Sequence, residues 1–194
     1  MTNLDDLIRR STSGDQQVYE ALMVEYYNFI FRLSLSILGE PCEADDAAQE
    51  TFIRAMTHLS GYQTGGNLKS WLAHIAVNFC RDRLRRLKTR NRLLELLIPG
   101  TRQAVQAAPS PEETVVRSER QQILYDCVQS LGEKHRLPIL LRYVHGMPIA
   151  EIAQVLQLSE GTVHSRLHYA HLKLRDRLKG FDLESSNQIE EGMS

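Results

Sequence analysis

The 194-residue chain is short of most features that mark a secreted, membrane-bound or catalytic protein. It has three cysteines, Cys42, Cys80 and Cys127, an odd number spread far apart. Without a CxxC pair or a Cys/His finger spacing, the pattern argues against a disulfide framework and fits a reducing cytosol. No stretch approaches the apolar length of a bilayer span, and the opening 1-MTNLDDLIRR-10 has no signal-peptide profile. The expectation is a cytoplasmic protein without direct membrane insertion. No nucleophile–base constellation is evident, and 60-SGYQTGG-66 does not match a phosphate-cradling loop. The chain therefore reads as a non-enzyme with no cofactor. Alternating strand patterns are missing throughout, which leaves an all-α fold. Strong net charge is missing too: the balance is −1, so total charge does not announce a nucleic-acid binder.

What is present is segregated charge. An acidic run occupies 40–50, a basic run 81–92, and a mainly basic helical stretch 166–179. A balanced sum weakens nonspecific adhesion to DNA while leaving local patches able to bind it.

Helical periodicity and its punctuation divide the chain into two small helical domains on a flexible tether. Asn3 caps a first short helix with Leu4, Leu7 and Ile8, and Ser13-Gly14-Asp15 ends it and caps the next. That next helix carries Val18, Leu22, Tyr26, Phe29, Ile30, Leu33 and Ile37 until Gly39-Glu40-Pro41 stops it. A third helix is expected over about 43–59, buried through Ala48, Phe52, Met56 and Leu59. After a polar loop over 60–69, a fourth starts at a Ser70 cap and buries Leu72, Ile75, Ala76 and Phe79. The stretch 98-IPGTRQAVQAAPSPEET-114 has no period and three prolines, which marks a linker. Domain bounds of 1–95 and 115–180 follow, with 96–114 between them and an acidic, frayed tail at 181–194. In the second domain, helices are expected over 115–131 and 133–145. Pro138 is placed near the first turn of the latter, Gly146 ends it, and Pro148 opens the next.

Three faces stand out. In 149-IAEIAQVLQLSEGTVHSRLHYAHLKLRDRL-178, Ile149, Ile152, Ala153 and Leu156 repeat at helical spacing. Ser159 and Thr162 suit a helix cap, and Gly161 keeps the turn uncrowded. Val163, Leu167, Ala170, Leu174 and Leu178 then form one stripe, leaving His164, Ser165, Arg166, His168, Tyr169, His171, Lys173 and Arg175 outside it. This is a helix-turn-helix, whose second helix fits a major groove. In the fourth helix Trp71, His74, Asn78, Arg81 and Arg85 line up, and Arg83, Arg86, Lys88, Arg90 and Arg92 extend the charge. A stacking ring, a base-edge amide and phosphate-binding cations are the parts of a single-strand site, whereas the bland alternative is a solvated basic face. In the third helix Asp45, Asp46, Gln49 and Glu50 point away from the apolar stripe. They read either as stabilising first-turn acids or as a face for a basic protein partner. His164, His168 and His171 share one face, but no local carboxylate or cysteine completes a metal site, so no metal is expected.

Together these segments resemble the bacterial RNA polymerase sigma factors of the extracytoplasmic-function group, over nearly the whole chain. The carriers are 43-EADDAAQETFIRA-55, 70-SWLAHIAVNFCRDRLRR-86 and 146-GMPIAEIAQVLQLSEGTVHSRLHYAHLKLRDRL-178, in the family's order and with a linker between the second and third. The resemblance implies an alternative sigma factor, with core RNA polymerase, promoter DNA and an anti-sigma factor as partners. It implies that Asp45, Asp46, Gln49 and Glu50 dock on the clamp helices of the largest polymerase subunit. Asn78 would sit near a flipped base of the −10 element, beside Trp71 and His74, with 60–69 shaping the pocket. Arg81, Arg83, Arg85 and Arg86 would hold the strand backbone. Thr162, His164, Ser165, Arg166, His168, Tyr169 and His171 would face the −35 element, and the linker would thread toward the RNA exit path. The rival reading is a stand-alone regulator that binds duplex DNA as a dimer, although no apolar dimerisation seam is visible. A third is an enzyme or metal protein built on Cys80 or the histidines.

The sequence departs from the family pattern where Lys or Arg is frequent: here stand His164, Tyr169 and His171. Imidazoles gain charge below about pH 6.5. Affinity for a −35 duplex is therefore expected to rise as pH falls through that value. Titration of duplex binding from pH 5.5 to 8 checks this, and a flat profile removes the idea.

Overall fold

The computed structural model describes residue 8 and the segments 15–62, 66–97 and 119–191. Among these residues there is no strand, and the expected all-α class is found. Apart from Gln154–Gln157, the chain up to Pro109 forms one compact unit and the chain from Ser110 the other.

In the front unit, α1 (Gln16–Leu38) begins at Asp15, whose carboxylate accepts the Gln17 N–H at 2.9 Å. It ends at Gly39, which takes the left-handed φ of 79° and returns its N–H to Leu35 O at 2.8 Å. The next residue, Glu40, caps α2 (Pro41–Thr57) by accepting from Cys42 N at 3.2 Å and Glu43 N at 2.7 Å. Pro41 occupies the first helical turn, where its missing donor costs nothing. Three consecutive residues thus stop one helix, cap the next and start it. The buried face of α2 is Ala44, Ala47, Ala48, Thr51, Phe52, Ala55 and Met56. Leu59 is also buried, but in the single 3₁₀ turn Leu59–Gly61 that follows the helix. Of the first expected helix only Ile8 lies within the described residues; it is helical and buried.

The third helix, α3 (Leu68–Leu97), begins before the expected Ser70 cap. Asn67 does the capping, its side-chain oxygen accepting Ser70 N–H at 3.0 Å, while Ser70 itself is buried. The buried stripe of α3 is Leu72, Ala73, Ala76, Val77 and Cys80; Ile75 and Phe79, expected in it, are half-buried. Packing against α1 and α2 together favours the narrower side chains. Phe79 instead carries the Arg54 guanidinium over its ring at 4.9 Å.

Helix α1 also corrects the reading of hydropathy. Gln16–Leu38 is long and apolar enough to cross a membrane by length and composition, with mean hydropathy 1.2. Its Val18, Leu22, Ile30, Leu33 and Ile37 are buried where it packs on α2 and α3, while other apolar residues such as Val24 stay exposed.

The rear unit holds α4 (Glu119–Gln129), α5 (Glu133–Ile139), α6 (Ile149–Leu156) and α7 (Glu160–Glu191). Pro138 lies inside α5, beyond the first turn where the sequence reading put it. A proline there removes one i→i−4 bond, and the chain then continues as a π-helical turn over Leu140–Val144, closed by His145 N on Leu140 O at 3.1 Å. Gly146, with φ 65°, ends it as expected. Pro148 sits just before α6, its carbonyl accepting Ile152 N–H at 3.0 Å. α7 is longer than its apolar stripe suggests: the expected frayed segment from 181 is helical up to Glu191.

The turn of the helix-turn-helix does not depend on Gly161, where an added Cβ would meet nothing nearer than Ser159 Oγ at 4.0 Å. The left-handed residue is Gln157, with φ 53°. Around it Leu158 N–H bonds Ala153 O at 2.9 Å and Gln157 N–H bonds Gln154 O at 3.2 Å, the double closure of a Schellman motif. Ser159 caps α7, its Oγ accepting Thr162 N–H at 3.2 Å, and the two hydroxyls lie 2.8 Å apart. A side chain in the left-handed region costs about 1–2 kcal/mol, partly offset by the greater unfolded-state freedom of glycine. Gln157→Gly is therefore expected to stabilise this turn by up to about 1 kcal/mol. Slower amide exchange over 149–158 checks it.

Candidate nucleic-acid and partner interfaces

The acidic face of α2 is not four equivalent groups. Asp45 is half-buried: the Tyr27 hydroxyl of α1 donates to its Oδ1, and Gln49 Nε2 donates to its Oδ2 at 2.9 Å. The carboxylate, first by that hydrogen bond and then with burial and its own charge, pushes the Tyr27 phenol up to about 12. Glu50 is half-buried and pairs with Arg54 one turn on at 2.7 Å. Asp46 and Gln49 are exposed. The structure therefore brings all four to one side of α2 and leaves Asp46 as the outward carboxylate.

A fourth acid of α2, Glu43, binds Arg83 of α3. The guanidinium forks onto the carboxylate, through Nε to Oε2 and through Nη2 to Oε1 at 2.6 Å. The hydrogen bond and charge of Arg83 hold the Glu43 carboxyl below its ordinary value, against a smaller opposing effect of burial. Arg83, grouped by sequence with the strand-binding cations, is thus committed to a neighbouring helix. Nothing in the local pattern signals this, because the partners lie 40 residues apart.

Along α3, Trp71 is half-buried against Tyr62 with ring centroids 5.2 Å apart, and the Tyr62 hydroxyl donates to Gly66 O at 2.7 Å. One turn on, His74 and Asn78 are both half-buried, with Asn78 Nδ2 at 3.0 Å from His74 Nε2. With that amide nitrogen directed at the ring, Asn78 Oδ1 is the group left for a ligand donor. Arg81 is half-buried, while Arg85 and Arg86 are exposed, Arg85 lying 3.5 Å from Asp82. Trp71, His74, Asn78, Arg81 and Arg85 share one side of the helix as the spacing predicts. Residues 63–65 of the loop expected to shape this site lie outside the described residues.

On α7, Val163, Leu167 and Ala170 are buried, and Leu174 and Leu178 half-buried. His164, Ser165, His168, Tyr169 and His171 are exposed; Arg166 and the capping Thr162 are half-buried. The structure adds two residues that the sequence reading missed. Buried His135 of α5 places Nδ1 3.3 Å from Arg166 O and its ring 6.5 Å from Tyr169. Exposed Tyr143, from the π-helical turn, meets the His171 ring edge-on at 5.4 Å. Three-residue spacings in an ordinary helix would not have singled out Tyr143, because the extra residue in the π turn resets the face. Among the described residues no three His, Cys, Asp or Glu side chains group closely enough to hold a metal ion. Cys80 is buried, which pushes its thiol up to about 11, so it is protonated at neutral pH and serves as packing.

The family model for Sigma-70 region 2 matches residues 22–90, and that for Sigma-70 region 4 matches 121–174. The chain is 31% identical over 178 residues to the ECF RNA polymerase sigma factor SigW of Bacillus subtilis, spanning 89% of this chain and 95% of that one. It is 30% identical over 166 residues to the ECF RNA polymerase sigma factor SigL of Mycobacterium tuberculosis, spanning 85% and 91%. Among solved structures, CnrH in complex with the cytosolic domain of CnrY matches with a TM-score of 0.63 at 23% identity, over 92% of this chain and 99% of that one. RpoE in complex with the anti-sigma factor NepR from Bartonella quintana matches with a TM-score of 0.62 at 22% identity, over 83% and 96%. These two likenesses bear on the fold alone.

The Glu43–Arg83 pair generates a prediction. Glu43 has a lowered folded-state pKa, so the pair's stabilisation is complete above the ordinary carboxylate range and fades as pH falls through the lowered value. Both side chains are partly exposed, which limits the contribution to about 1 kcal/mol at most. Arg83→Ala should lower the front unit's stability by that amount at pH 7 and by less under acid conditions. Single-strand binding should change less than in Arg86→Ala. Urea unfolding at both pH values and strand titrations check this.

Proposed function

The chain belongs to the extracytoplasmic-function group of sigma-70 RNA polymerase sigma factors, and from that premise we propose how its faces divide the work. It is an alternative sigma factor: it binds core RNA polymerase and directs promoter recognition and transcription initiation. The observation carrying the proposal is that one matched region spans both the acidic face of α2 and the Asn78 face of α3, while the other spans the helix-turn-helix.

In this reading 1–95 is the polymerase-binding and −10 domain, 96–114 the linker, 115–180 the −35 domain and 181–194 an appended tail. Asp45, Asp46, Gln49 and Glu50 meet the polymerase, with Asp46 the carboxylate most available to a cation. Trp71 offers a ring and Asn78 a carbonyl oxygen to an unstacked −10 base, with His74 setting the amide's orientation. Arg81, Arg85 and Arg86 serve the strand's phosphates, whereas Arg83 acts through Glu43. Thr162, His164, Ser165, Arg166, His168, Tyr169 and His171 address the −35 duplex from α7. Holding an extruded base offsets the few kcal/mol of opening. The tether raises the effective concentration of the second contact, so neither reader has to be tight alone. No step here is catalytic. The site of action is the cytoplasm, with an anti-sigma factor as the controlling partner; one solved protein of similar fold, RpoE, is held in complex with the anti-sigma factor NepR.

Run-off transcription with purified core polymerase on a promoter library tests the whole. Within it, Asn78→Ala should impair open-complex formation more than duplex binding. Charge reversal at Asp45 and Asp46 should weaken polymerase association and leave DNA contacts alone. Equal effects of both changes in both assays would show the faces to be misassigned.

A further inference from the structure

The polymerase-facing side of α2 continues onto α1. An open groove of about 510 Å³ lies between them, lined by Tyr27, Asn28 and Phe31 of α1 and by Pro41, Cys42, Asp45 and Asp46 of α2. Between two of these lining residues the Tyr27 hydroxyl donates to Asp45 Oδ1, and the other carboxylate oxygen accepts from Gln49 Nε2 at 2.9 Å. Tyr27 is itself fixed from behind: its ring stacks on Phe31 at 6.2 Å and on Phe52 at 6.4 Å, and Phe52 is fully buried. A chain of contacts therefore runs from the core through a phenol and a carboxylate to an exposed amide on the docking face.

We propose that Tyr27 is a positioning residue for polymerase docking: it fixes the Asp45 carboxylate, and through it the Gln49 amide, in the arrangement that core polymerase binds. This rests on the assignment of the α2 face to the polymerase. A free Asp45 would sample several rotamers, and Gln49, exposed and one turn on, would lose the carboxylate that anchors its amide. Ordering both groups in the free protein removes that entropy cost from binding. It also leaves exposed Asp46, at the groove's edge, as the carboxylate offered to a polymerase cation. The elevated phenol, about 12, keeps Tyr27 a donor across the physiological range. Only half-buried, the same contact adds about 1 kcal/mol at most to the stability of the fold, so its worth lies in orientation.

The test is a double-mutant cycle on the full chain, reading affinity for core polymerase by titration and thermal midpoint in parallel. Tyr27→Phe keeps the ring stack and removes the donor. It should weaken polymerase binding about fivefold, the scale of one net hydrogen bond, with little change in midpoint. Asp45→Ala should weaken it by a similar factor, and adding Tyr27→Phe in that background should change affinity less than about twofold. Equal losses from Tyr27→Phe in both backgrounds would overturn the positioning role. So would unaltered binding by Tyr27→Phe while Asp46→Lys still weakens it, a result that leaves the docking face intact. If Asp45→Ala and Asp46→Lys are both silent, the docking assignment itself fails.

Discussion

Both candidate faces of the front unit depend on one packing constraint: α2 must lie close enough to α1 and α3 for a single large ring, Phe52, to fill the space between them. Ala44, Ala47, Ala48 and Ala55 permit the approach, and Phe52, fully buried, occupies what they leave. Burying such a side chain is worth about 1.5–3 kcal/mol, well above any one surface pair in the unit. The register that this packing sets decides which way Asp46 points from α2 and which way Asn78 points from α3. The polar residues therefore inherit their geometry from an apolar contact in which they take no part.

The charged groups then refine that geometry rather than create it. Glu43 reaches Arg83, Asp45 reaches Tyr27 and Gln49, and Glu50 reaches Arg54, so most of the acidic run is internally engaged. Partly exposed pairs of this kind contribute little stability. Their effect is to hold carboxylates, amides and guanidinium groups in single orientations and to leave Asp46 facing outward. A net charge of −1 conceals this arrangement, since opposite signs have been spent against each other within the front unit. What remains for partners is a small number of oriented groups, which suits selective docking better than a diffuse field.

The legible parts of this structure are those whose cause is local. Asp15, and the run Gly39-Glu40-Pro41, stop, cap and start helices through contacts within four residues, and the sequence carries that signal in full. The helix-turn-helix is equally local, and its Ser159 cap was readable. The turn's left-handed residue was not, because Gly161 is the residue that usually takes such a φ, yet the chain places Gln157 there and compensates with two backbone bonds. Asn67 displaced Ser70 as the cap because Ser70 is drawn into the core. The stripe of α3 turned from Ile75 and Phe79 toward Ala73 and Val77 for the same reason: two neighbouring helices, not one, had to be accommodated. Glu43–Arg83 and Tyr27–Asp45 join different helices, and no periodicity within one helix encodes such a pairing. The candidate faces were thus visible as sets of residues, while the division within each set, into groups that bind and groups that hold, required the packed structure.

The rear unit handles the same problem differently. Its candidate recognition helix, α7, is met by Tyr143 of the π-helical turn and by buried His135, not by a face of small residues. A π turn inserts one residue without breaking the helix, so Tyr143 is rotated until its ring meets His171. Pro138 is the local cause: the bond it cannot make loosens the ladder just before the extra residue is admitted. The aromatic and imidazole side chains thereby restrain one another by edge contacts, as His168 and Tyr169 also do at 5.7 Å. A sigma factor so built would read its duplex through shape and hydrogen bonding first, and would rely on the tethered front unit and the polymerase to make up the affinity that its helix lacks.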